Sequence, residues 1–378
     1  MERARSSDRG PAVVPTRGDR ADPEALRRAA GVLGAGGLVA LPTDTVYGVV
    51  ADPLSETAVE RIYEAKGRDR LKPLAALAAD VAAAWALCAE VSDAARRLAD
   101  SFWPGALTIV VPAGDACPLS LAGVDGYVGL RVPRHPFVRE LCGALDGALA
   151  STSANPSGGP DPLSADAVAE TLGASVDLIV DGGPCRCASP STVVRLEPGR
   201  IDILREGAVS RRALEWALTD APQRVRSILF VCTANICRSP YAELRLAHLL
   251  GRLGIEGVSV SSAGIMATGG RPMYPGMALP LAERGGDASG HHSRLIDAEM
   301  AGRADLILCM EGEQQEIVSR AFPRAAGRAF RLAAFLGLGS DVIDPVLDTS
   351  GTCRGVADRI DTCVEILAER LCAWRREQ

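Results

Sequence analysis

Short segments rich in Val, Ile and Leu alternate with longer Ala-rich segments along most of this chain, and residues 208–224 interrupt the alternation once. This pattern predicts strands and helices in turn, which is typical of α/β folds. The chain has 378 residues. Because one domain usually has about 100–200 residues, we expect two α/β domains, at 23–207 and 225–378. A polar segment rich in Arg, Gly and Pro predicts a flexible tail at 1–22, and we interpret 208–224 as a linker.

The composition is that of an ordinary globular protein. Lys plus Arg number 41 and Asp plus Glu 47, which gives a formal charge of −6, and 47% of the residues are hydrophobic. These values exclude a disordered chain, a collagen and a strongly basic protein that wraps nucleic acid. The longest apolar stretch, residues 75–89, contains Asp80 and is shorter than the about 20 residues that span a bilayer. The N-terminal residues lack the apolar core of a secretory signal, so we interpret the 11 cysteines as reduced thiols of a cytoplasmic protein without membrane contact.

A cysteine and an arginine bound a loop at the start of the second half. Residues 228–231 form a continuous apolar run that predicts a buried parallel strand, and Ser239 followed by Pro240 predicts a helix start. The loop between them has the pattern Cys232-x5-Arg238. Peptide N–H groups and a helix N-terminus can cradle a tetrahedral anion there, and the same field favours a nucleophilic thiolate. The guanidinium of Arg238 can hold two phosphate oxygens, so the loop predicts attack of sulfur on phosphorus and a phosphocysteine that water hydrolyses.

Departure of the leaving group requires a proton donor, and Asp344, which precedes Pro345, is the best candidate. With this residue, the second half resembles the low-molecular-weight protein phosphatases over about residues 225–375. Their signature is C-x-x-N-x-C-R-S-P with a late Asp-Pro, and this chain has them at 232–240 and 344–345. The resemblance implies a doubly wound parallel-sheet domain that needs no cofactor. The roles it implies are nucleophile for Cys232, phosphate clamp for Arg238, general acid for Asp344, loop-shaping residue for Asn235 and thiolate-stabilising hydroxyl for Ser239.

Two questions about this domain stay open in the sequence. Ile236 is typical of the tyrosine-directed members, whereas Val346 lacks the aromatic wall that those members usually have after Asp-Pro. We expect a phosphoprotein substrate, with phosphotyrosine favoured over phosphoarginine. Cys237 is either a partner that traps Cys232 in a reversible disulfide or a structural thiol.

Four separated segments of the first half combine basic, hydroxyl and amide side chains. They are residues 38–48, where a strand enters a polar turn; 55–73, a capped helix and a basic loop; 129–136, an arginine within an apolar run; and 150–159, a strand end rich in Ser, Thr and Asn. Such groups suit a polyphosphate together with a carboxylate. The absence of G-x-x-x-x-G-K-[ST] excludes a P-loop nucleotide site.

Together these segments resemble the YrdC type of threonylcarbamoyl-AMP synthase over about residues 23–207. The shared motifs are P-T-D-T-V-Y-G, K-G-R-x-x-x-K-P-L, V-G-L-R-V-P-R-H-P, S-T-S-A-N-P-S-G, S-P-S-T-V-V and I-L-R-E-G-A. The resemblance implies a twisted-sheet α/β domain that joins L-threonine, bicarbonate and ATP, accompanied by Mg2+, into threonylcarbamoyl-adenylate for tRNA modification. The ATP ligands it implies are Lys66, Arg68, Lys72, Ser153, Asn155 and Arg205. The threonine ligands it implies are Thr45, Arg131, Ser151 and Ser191.

The resemblance also implies a partner, the transferase that passes the threonylcarbamoyl group to tRNA. The negative charge of this chain indicates that binding of whole tRNA is left to that partner. We expect no metal site in the protein, because Cys185 and Cys187 have no second Cys or His pair nearby in the sequence.

Three positions depart from the pattern of these synthases. Tyr127 stands where threonine is frequent, Asp161 where serine is frequent, and Arg195 where an acidic residue is usual. The carboxylate of Asp161 would repel a phosphate, so the sequence supports threonine binding better than it supports binding of the ATP phosphates. We interpret Arg195 as variation at the surface.

Two alternative functions remain open. In the first alternative, the first half is a nucleotide- or RNA-binding module without turnover that regulates a working phosphatase. In the second alternative, the second half is an arsenate reductase, since arsenate mimics phosphate, and this activity would need a resolving thiol such as Cys309 or Cys353.

Overall fold

The apolar and Ala-rich segments alternate as strands and helices, as the sequence predicts. The structure is a computed structural model that describes residues 11–16, 22–185, 187–339, 341–345 and 353–375. Two units, Met1–Ala208 and Val209–Gln378, each have their own internal packing.

The described residues of the first unit form a sheet of ten strands with helices around it. The strands are β1 (Ala12–Pro15), β2 (Val39–Leu41), β3 (Gly48–Ala51), β4 (Ala75–Leu77), β5 (Leu107–Pro112), β6 (Tyr127–Arg131), β7 (Leu149–Ser153), β8 (Leu178–Asp181), β9 (Thr192–Glu197) and β10 (Arg200–Arg205). The helices are α1 (Pro23–Gly34), α2 (Glu56–Lys66), α3 (Val81–Trp85), α4 (Asp93–Phe102), α5 (Pro136–Ala144) and α6 (Ala165–Leu172), followed by a 3-10 turn at Gly173–Ser175.

The strand order of this sheet is β1-β8-β2-β3-β7-β4-β6-β5-β9-β10, with parallel and antiparallel pairs mixed. Helices α1 and α5 cover one end of one face and enclose an apolar core that includes Leu33, Val50, Phe137 and Leu149. Val50 lies opposite Ser151 in the register of β3 and β7. Residues opposite each other point to the same side of a sheet, so the helices leave the remainder of this face open for the polar residues that the sequence singles out.

The basic loop at 67–73 follows α2 for local reasons. Ser55 caps the helix by accepting a hydrogen bond from Ala58 N, and Gly67 ends it in the left-handed conformation at φ 56°. The loop therefore begins at a defined point beside the open face.

The structure differs from the expected flexible tail at residues 12–15. These residues form β1, which pairs in parallel with β8, and Val14 is buried. The short apolar run Ala12-Val13-Val14 explains the difference, because a strand at the edge of a sheet needs only alternate apolar contacts and one partner.

The described residues of the second unit form a four-stranded sheet with helices. The strands are β11 (Ser227–Cys232), β12 (Ser259–Gly264), β13 (Leu306–Cys309) and β14 (Ala329–Arg331). The helices are α7 (Arg211–Ala217), α8 (Ala221–Arg224), α9 (Arg238–Arg252), α10 (Pro275–Glu283), α11 (Ala298–Arg303), α12 (Gly312–Ala321), α13 (Leu332–Phe335) and α14 (Cys353–Ala373), with a 3-10 turn at Pro323–Arg328. No helix among the described residues of either unit is both long and apolar enough to cross a bilayer.

The second sheet has the order β12-β11-β13-β14, and all its pairs are parallel. Strand order thus reverses at β11, which is the arrangement of a doubly wound sheet. The predicted fold class is confirmed for both halves: a twisted mixed α/β sheet first and a doubly wound parallel sheet second.

Residues 211–224, which the sequence presented as a linker, form α7 and α8 of the second unit. The indole of Trp216 lies edge-on to three aromatic rings, with centroids 5.8 Å from Phe330, 5.3 Å from Phe335 and 5.5 Å from Trp374. Trp216 is 7% exposed. The segment is therefore packed into the aromatic core of the second unit.

Candidate active sites

The cysteine loop of the second unit begins where β11 ends. Ligand sites of doubly wound sheets form at the carboxyl ends of the strands where strand order reverses, which is the position of Cys232. The Cys232 Sγ lies 3.0 Å from Ser239 Oγ and accepts a hydrogen bond from Asn235 N at 3.3 Å. A hydroxyl and a peptide N–H are thus available to stabilise negative charge on this buried sulfur.

The helix after the loop starts earlier than the sequence predicts. Helix α9 begins at Arg238, with Cys237 in the N-cap position, rather than at Ser239-Pro240. The Ser239 hydroxyl does not cap the helix, because it contacts the Cys232 sulfur and Ala263 O instead.

Asn235 holds the shape of the loop from inside. It has a left-handed backbone at φ 55° and is fully buried. Its amide Nδ2 donates to Ser239 Oγ at 3.0 Å and to Ser262 Oγ at 2.7 Å, while its Oδ1 accepts from Arg294 N at 2.9 Å. The side chain therefore ties the loop to β12 and to the segment at 294.

Arg238 lies on the other side of the loop and is buried. Its Nη1 donates to Val342 O at 2.8 Å and contacts Glu311 Oε2 at 2.9 Å, and its Nη2 contacts Asp344 Oδ2 at 2.5 Å. Its Nε is buried and has no hydrogen-bond partner among the described residues. A phosphate that binds this guanidinium must therefore compete with two carboxylates. Val346, on which part of the substrate question depends, lies outside the described residues.

Two other cysteines near this loop, Cys237 and Cys309, are poor nucleophiles because burial raises the pKa of each thiol. Burial, and next the charge of Asp344, raises the pKa of Cys237 to about 12. Cys309 lies inside β13 and is fully buried, which raises its pKa strongly. Cys353 begins α14 and is half-buried. The burial of Cys309 argues against it as the resolving thiol that an arsenate reductase would require.

A cavity of about 640 Å³ occupies the open face of the sheet in the first unit. Its floor consists of alternate strand residues, because alternate side chains point to the same side of a strand. The predicted residues that line it are Thr45, Arg68, Lys72, Arg131, Ser151, Ser153, Ser191 and Arg205. Eight of the ten predicted ligands of this half thus face one cavity, and Lys66 and Asn155 are not among its lining residues.

One end of the cavity is built around Arg131. Its Nη1 donates to Thr45 Oγ1 at 3.0 Å, its Nε donates to Gly105 O at 3.0 Å, and its Nη2 lies 2.9 Å from Asp44 Oδ1. Asp44 also accepts from Arg134 N at 2.9 Å. Thr45, Gly105 and Asp44 together hold this arginine in place.

Hydroxyl groups continue from this end. Ser191 Oγ lies 3.0 Å from Thr108 Oγ1 and accepts from Arg205 Nη2 at 3.1 Å, while Arg205 Nε donates to Ser191 O at 3.0 Å. Burial lowers the pKa of Arg205, and the charge of Asp161 partly opposes this. Asp161, at which this chain departs from the synthase pattern, thus acts on the charge of a predicted ATP ligand.

Lys66 is not among the residues that line the cavity. Its Nζ donates to Ser153 O, Asn155 O and Asn155 Oδ1, and the side chain is 4% exposed. Burial lowers its pKa to about 8, an effect that Arg68 increases and Asp161 opposes. With its three donors occupied, Lys66 positions the loop of Ser153 and Asn155.

The basic loop has partners of its own. Arg68 donates from Nε to Lys72 O at 3.0 Å and from Nη2 to Pro73 O at 3.1 Å. This folds the loop back on itself and keeps the Arg68 and Lys72 side chains at the wall of the cavity.

The interpretation of Arg195 as surface variation is wrong. Arg195 lines the cavity, and its Cζ lies 3.7 Å from the centroid of the Tyr127 ring. Sequence reasoning missed this pairing because the two residues are on different strands, each next to β5.

Several further residues of the two sites gave no signal of function in the sequence. Asp44 was noted only as part of a polar turn, and Glu311 lies outside every motif. Ser262 lies in β12, and the motifs described above assign it no role. These residues could be found only from their distances to Arg131, Arg238 and Asn235.

Within the described residues, no group of three or more His, Cys, Asp or Glu side chains is arranged to hold a metal ion.

Comparisons with known proteins separate the two halves in the same way. Residues 31–207 match the model of the Sua5, YciO and YrdC family (described as telomere recombination), and residues 227–376 match that of the low molecular weight phosphotyrosine protein phosphatases. A putative threonylcarbamoyl-AMP synthase of Mycobacterium tuberculosis (strain CDC 1551 / Oshkosh) is 40% identical over 204 residues, which are 53% of this chain and 94% of that protein.

The threonylcarbamoyl-AMP synthase of Pyrococcus abyssi is 36% identical over 220 residues, 58% of this chain, and the chain spans 64% of that relative. The crystal structure of P. abyssi Sua5 complexed with L-threonine is similar with a TM-score of 0.52 and 27% identity, over 84% of this chain and 99% of that one.

Proposed function

The chain belongs to the Sua5, YciO and YrdC family through residues 31–207 and carries a low molecular weight phosphatase domain at 227–376, and from this we propose that it is a bifunctional enzyme. The first unit forms threonylcarbamoyl-AMP from L-threonine, bicarbonate and ATP. The second unit hydrolyses a phosphoprotein through a phosphocysteine. We expect both activities in the cytoplasm, where a separate transferase would use the adenylate to modify tRNA.

The observation that carries the synthase proposal is the meeting of one oriented arginine, several hydroxyls and separate cations in a single cavity. Arg131, which Asp44 and Thr45 orient, would bind the threonine carboxylate. Bicarbonate supplies CO2 by loss of hydroxide, and the amine of threonine adds to this CO2 and releases a proton. An oxygen of the resulting carbamate then attacks the α-phosphorus of ATP while pyrophosphate leaves. The protein positions the reactants and neutralises charge, which needs little acid–base machinery.

The phosphates would lie against Arg68, Lys72 and Arg205. Lys66 would act on them through the loop of Ser153 and Asn155, whose carbonyls it holds. Mg2+ arriving with ATP would supply further neutralisation of the pyrophosphate.

Release of pyrophosphate that depends on both threonine and bicarbonate tests this half. The purified chain should show it, and Arg131→Gln should raise the KM for threonine far more than the KM for ATP. Arg61→Gln is the matched control, because Arg61 pairs with Asp177 and does not line the cavity. A folded wild-type chain that binds ATP but releases no pyrophosphate would favour the alternative of a regulatory module without turnover.

The observation that carries the phosphatase proposal is the convergence of Cys232, Arg238 and Asp344 around one loop. The thiolate attacks phosphorus, and the oxygen of the leaving alcohol takes a proton from Asp344. Asp344 then accepts a proton from the water that attacks the phosphocysteine, which releases inorganic phosphate and restores the thiolate. Phosphate oxygens on Arg238 would displace the Asp344 side chain toward the leaving group, where its protonated form would donate.

Cys232→Ser should abolish hydrolysis of p-nitrophenyl phosphate and retain binding of vanadate, because the loop that binds the anion is kept. Phosphotyrosine and phosphoarginine peptides should be compared at equal concentration, with faster hydrolysis of phosphotyrosine expected. Arsenate reduction that depends on added thiols, at a rate above that of phosphate ester hydrolysis, would instead support the reductase alternative.

A further inference from the structure

Two residues at which this chain departs from the synthase pattern contact each other on the cavity floor. Tyr127 begins β6 and Arg195 lies on β9, and β5 separates the two strands. In the register, Tyr127 is opposite Pro112 and Arg195 is opposite Val110. The guanidinium carbon of Arg195 lies 3.7 Å from the centroid of the tyrosine ring. The two planar groups form one stacked pair, which we call the Tyr127–Arg195 stack.

Two carboxylates lie against the guanidinium of Arg195. Asp125 Oδ2 accepts from Arg195 Nη1 at 2.6 Å, and Glu197 Oε1 lies 2.9 Å from Arg195 Nε. Two carboxylates also neutralise its charge, so this arginine is poorly suited to bind phosphate. What the pair offers a ligand is a flat surface for stacking.

Exposed apolar side chains also line this cavity. Leu71, Val124 and Leu204 all line the cavity and are 69%, 88% and 57% exposed. Exposed apolar groups in the same cavity as a stacked planar pair suit a ligand with a flat, largely apolar face.

The stack lies at the opposite end of β6 from the arginine expected to bind a carboxylate. Arg131 is four positions after Tyr127, which corresponds to about 13 Å along a strand. Gly129 lies midway, and a Cβ there would lie 3.3 Å from the Thr108 methyl group and would stand up from the floor. A ligand can therefore extend along this strand with a carboxylate at one end and a flat group at the other, which is the layout of an amino-acid-derived adenylate.

We propose that the Tyr127–Arg195 stack is the platform on which the purine base of the nucleotide lies. This inference rests on the proposed synthase function and adds the residues that bind the base. The two departures from the family pattern are then a matched pair that gives this chain its own base-binding surface.

The test separates the base from the phosphates. ATP, inorganic triphosphate and L-threonine are titrated by calorimetry into the wild-type chain and into Tyr127→Ala, Tyr127→Phe and Arg195→Ala. Stacking on one base is worth about 1–3 kcal/mol, so Tyr127→Ala should weaken ATP binding about 5- to 150-fold. Affinity for triphosphate and threonine should stay within about twofold of wild type, and Tyr127→Phe should restore ATP binding since it keeps the ring.

Three outcomes overturn the inference. One is unchanged ATP affinity in Tyr127→Ala. Another is an equal loss of ATP and triphosphate affinity, which would mean that the stack only supports the fold of the cavity. A third is failure of Tyr127→Phe to restore binding. If the wild-type chain binds no ATP and forms no adenylate, the synthase proposal itself fails, and that result is distinct from the other three.

Discussion

Replacement of Asn235 should destabilise the phosphatase unit through two separable effects. Asn235→Ala loses three buried hydrogen bonds, at 2.7, 2.9 and 3.0 Å. With a net value of about 1 kcal/mol for each, the loss is about 3 kcal/mol. The left-handed backbone at φ 55° adds about 1 kcal/mol for alanine but nothing for glycine. We therefore expect a loss of about 4 kcal/mol for Asn235→Ala and about 3 kcal/mol for Asn235→Gly.

Urea unfolding of the whole chain measures this, with the second unit followed by hydrolysis of p-nitrophenyl phosphate. Both variants should also lower kcat, because the Ser239 hydroxyl beside the Cys232 sulfur loses the amide that orients it. Wild-type stability and activity in Asn235→Gly would refute the role of the side-chain bonds. Equal losses in the glycine and alanine variants would refute the backbone part of the reasoning.

Three further predictions concern Lys66, Trp216 and Glu311. The pKa of Lys66 is lowered from 10.5 to about 8, so between these pH values the unfolded chain binds more protons than the folded chain, and the free energy of unfolding of the first unit should rise by up to about 3 kcal/mol as pH rises. Lys66→Met should remove this rise, measured by urea unfolding at pH 7.5 and 9.5. An equal change of stability with pH in the wild type and in the variant would contradict the prediction. Trp216→Ala should lower stability by about 4 kcal/mol and the melting temperature of the second unit by about 8–16 °C in calorimetry. Trp85→Ala, in the first unit, is its control, and no shift in Trp216→Ala would mean that 208–224 is a plain linker. Glu311→Gln removes a carboxylate that competes for Arg238, so inorganic phosphate should inhibit the phosphatase about 3- to 10-fold more strongly, and weaker inhibition would show that Glu311 instead orders the clamp.

The phosphatase loop could be recognised in the sequence because its parts are contiguous. A strand, seven residues from Cys232 to Arg238 and a helix start are neighbours along the chain, and local backbone geometry is enough to bring the sulfur and the peptide N–H groups together. Asp344 is distant in sequence, and its Pro345 neighbour and the family resemblance indicated it. Glu311 had no such marker, and it emerged only from its contact with Arg238.

The synthase cavity was less accessible to sequence reasoning. The motifs identified eight of the residues that line it, because each motif sits at a strand end or in a loop with unusual composition. They did not reveal that Lys66 Nζ donates its hydrogen bonds to the carbonyls of Ser153 and Asn155, or that Arg131 pairs with Asp44. These contacts depend on which atoms the folded chain brings together, and composition does not predict them.

Periodicity and motif order along the chain were thus sufficient for the two α/β folds, for the two families and for most of the residues in each site. The edge strand at 12–15, the packing of Trp216 and the Tyr127–Arg195 stack required the folded chain. The physical reason is that each of these contacts joins residues far apart in sequence. In each case the sheet register or the packing of a core determines which residue is the partner, and neither can be predicted from a local stretch of residues.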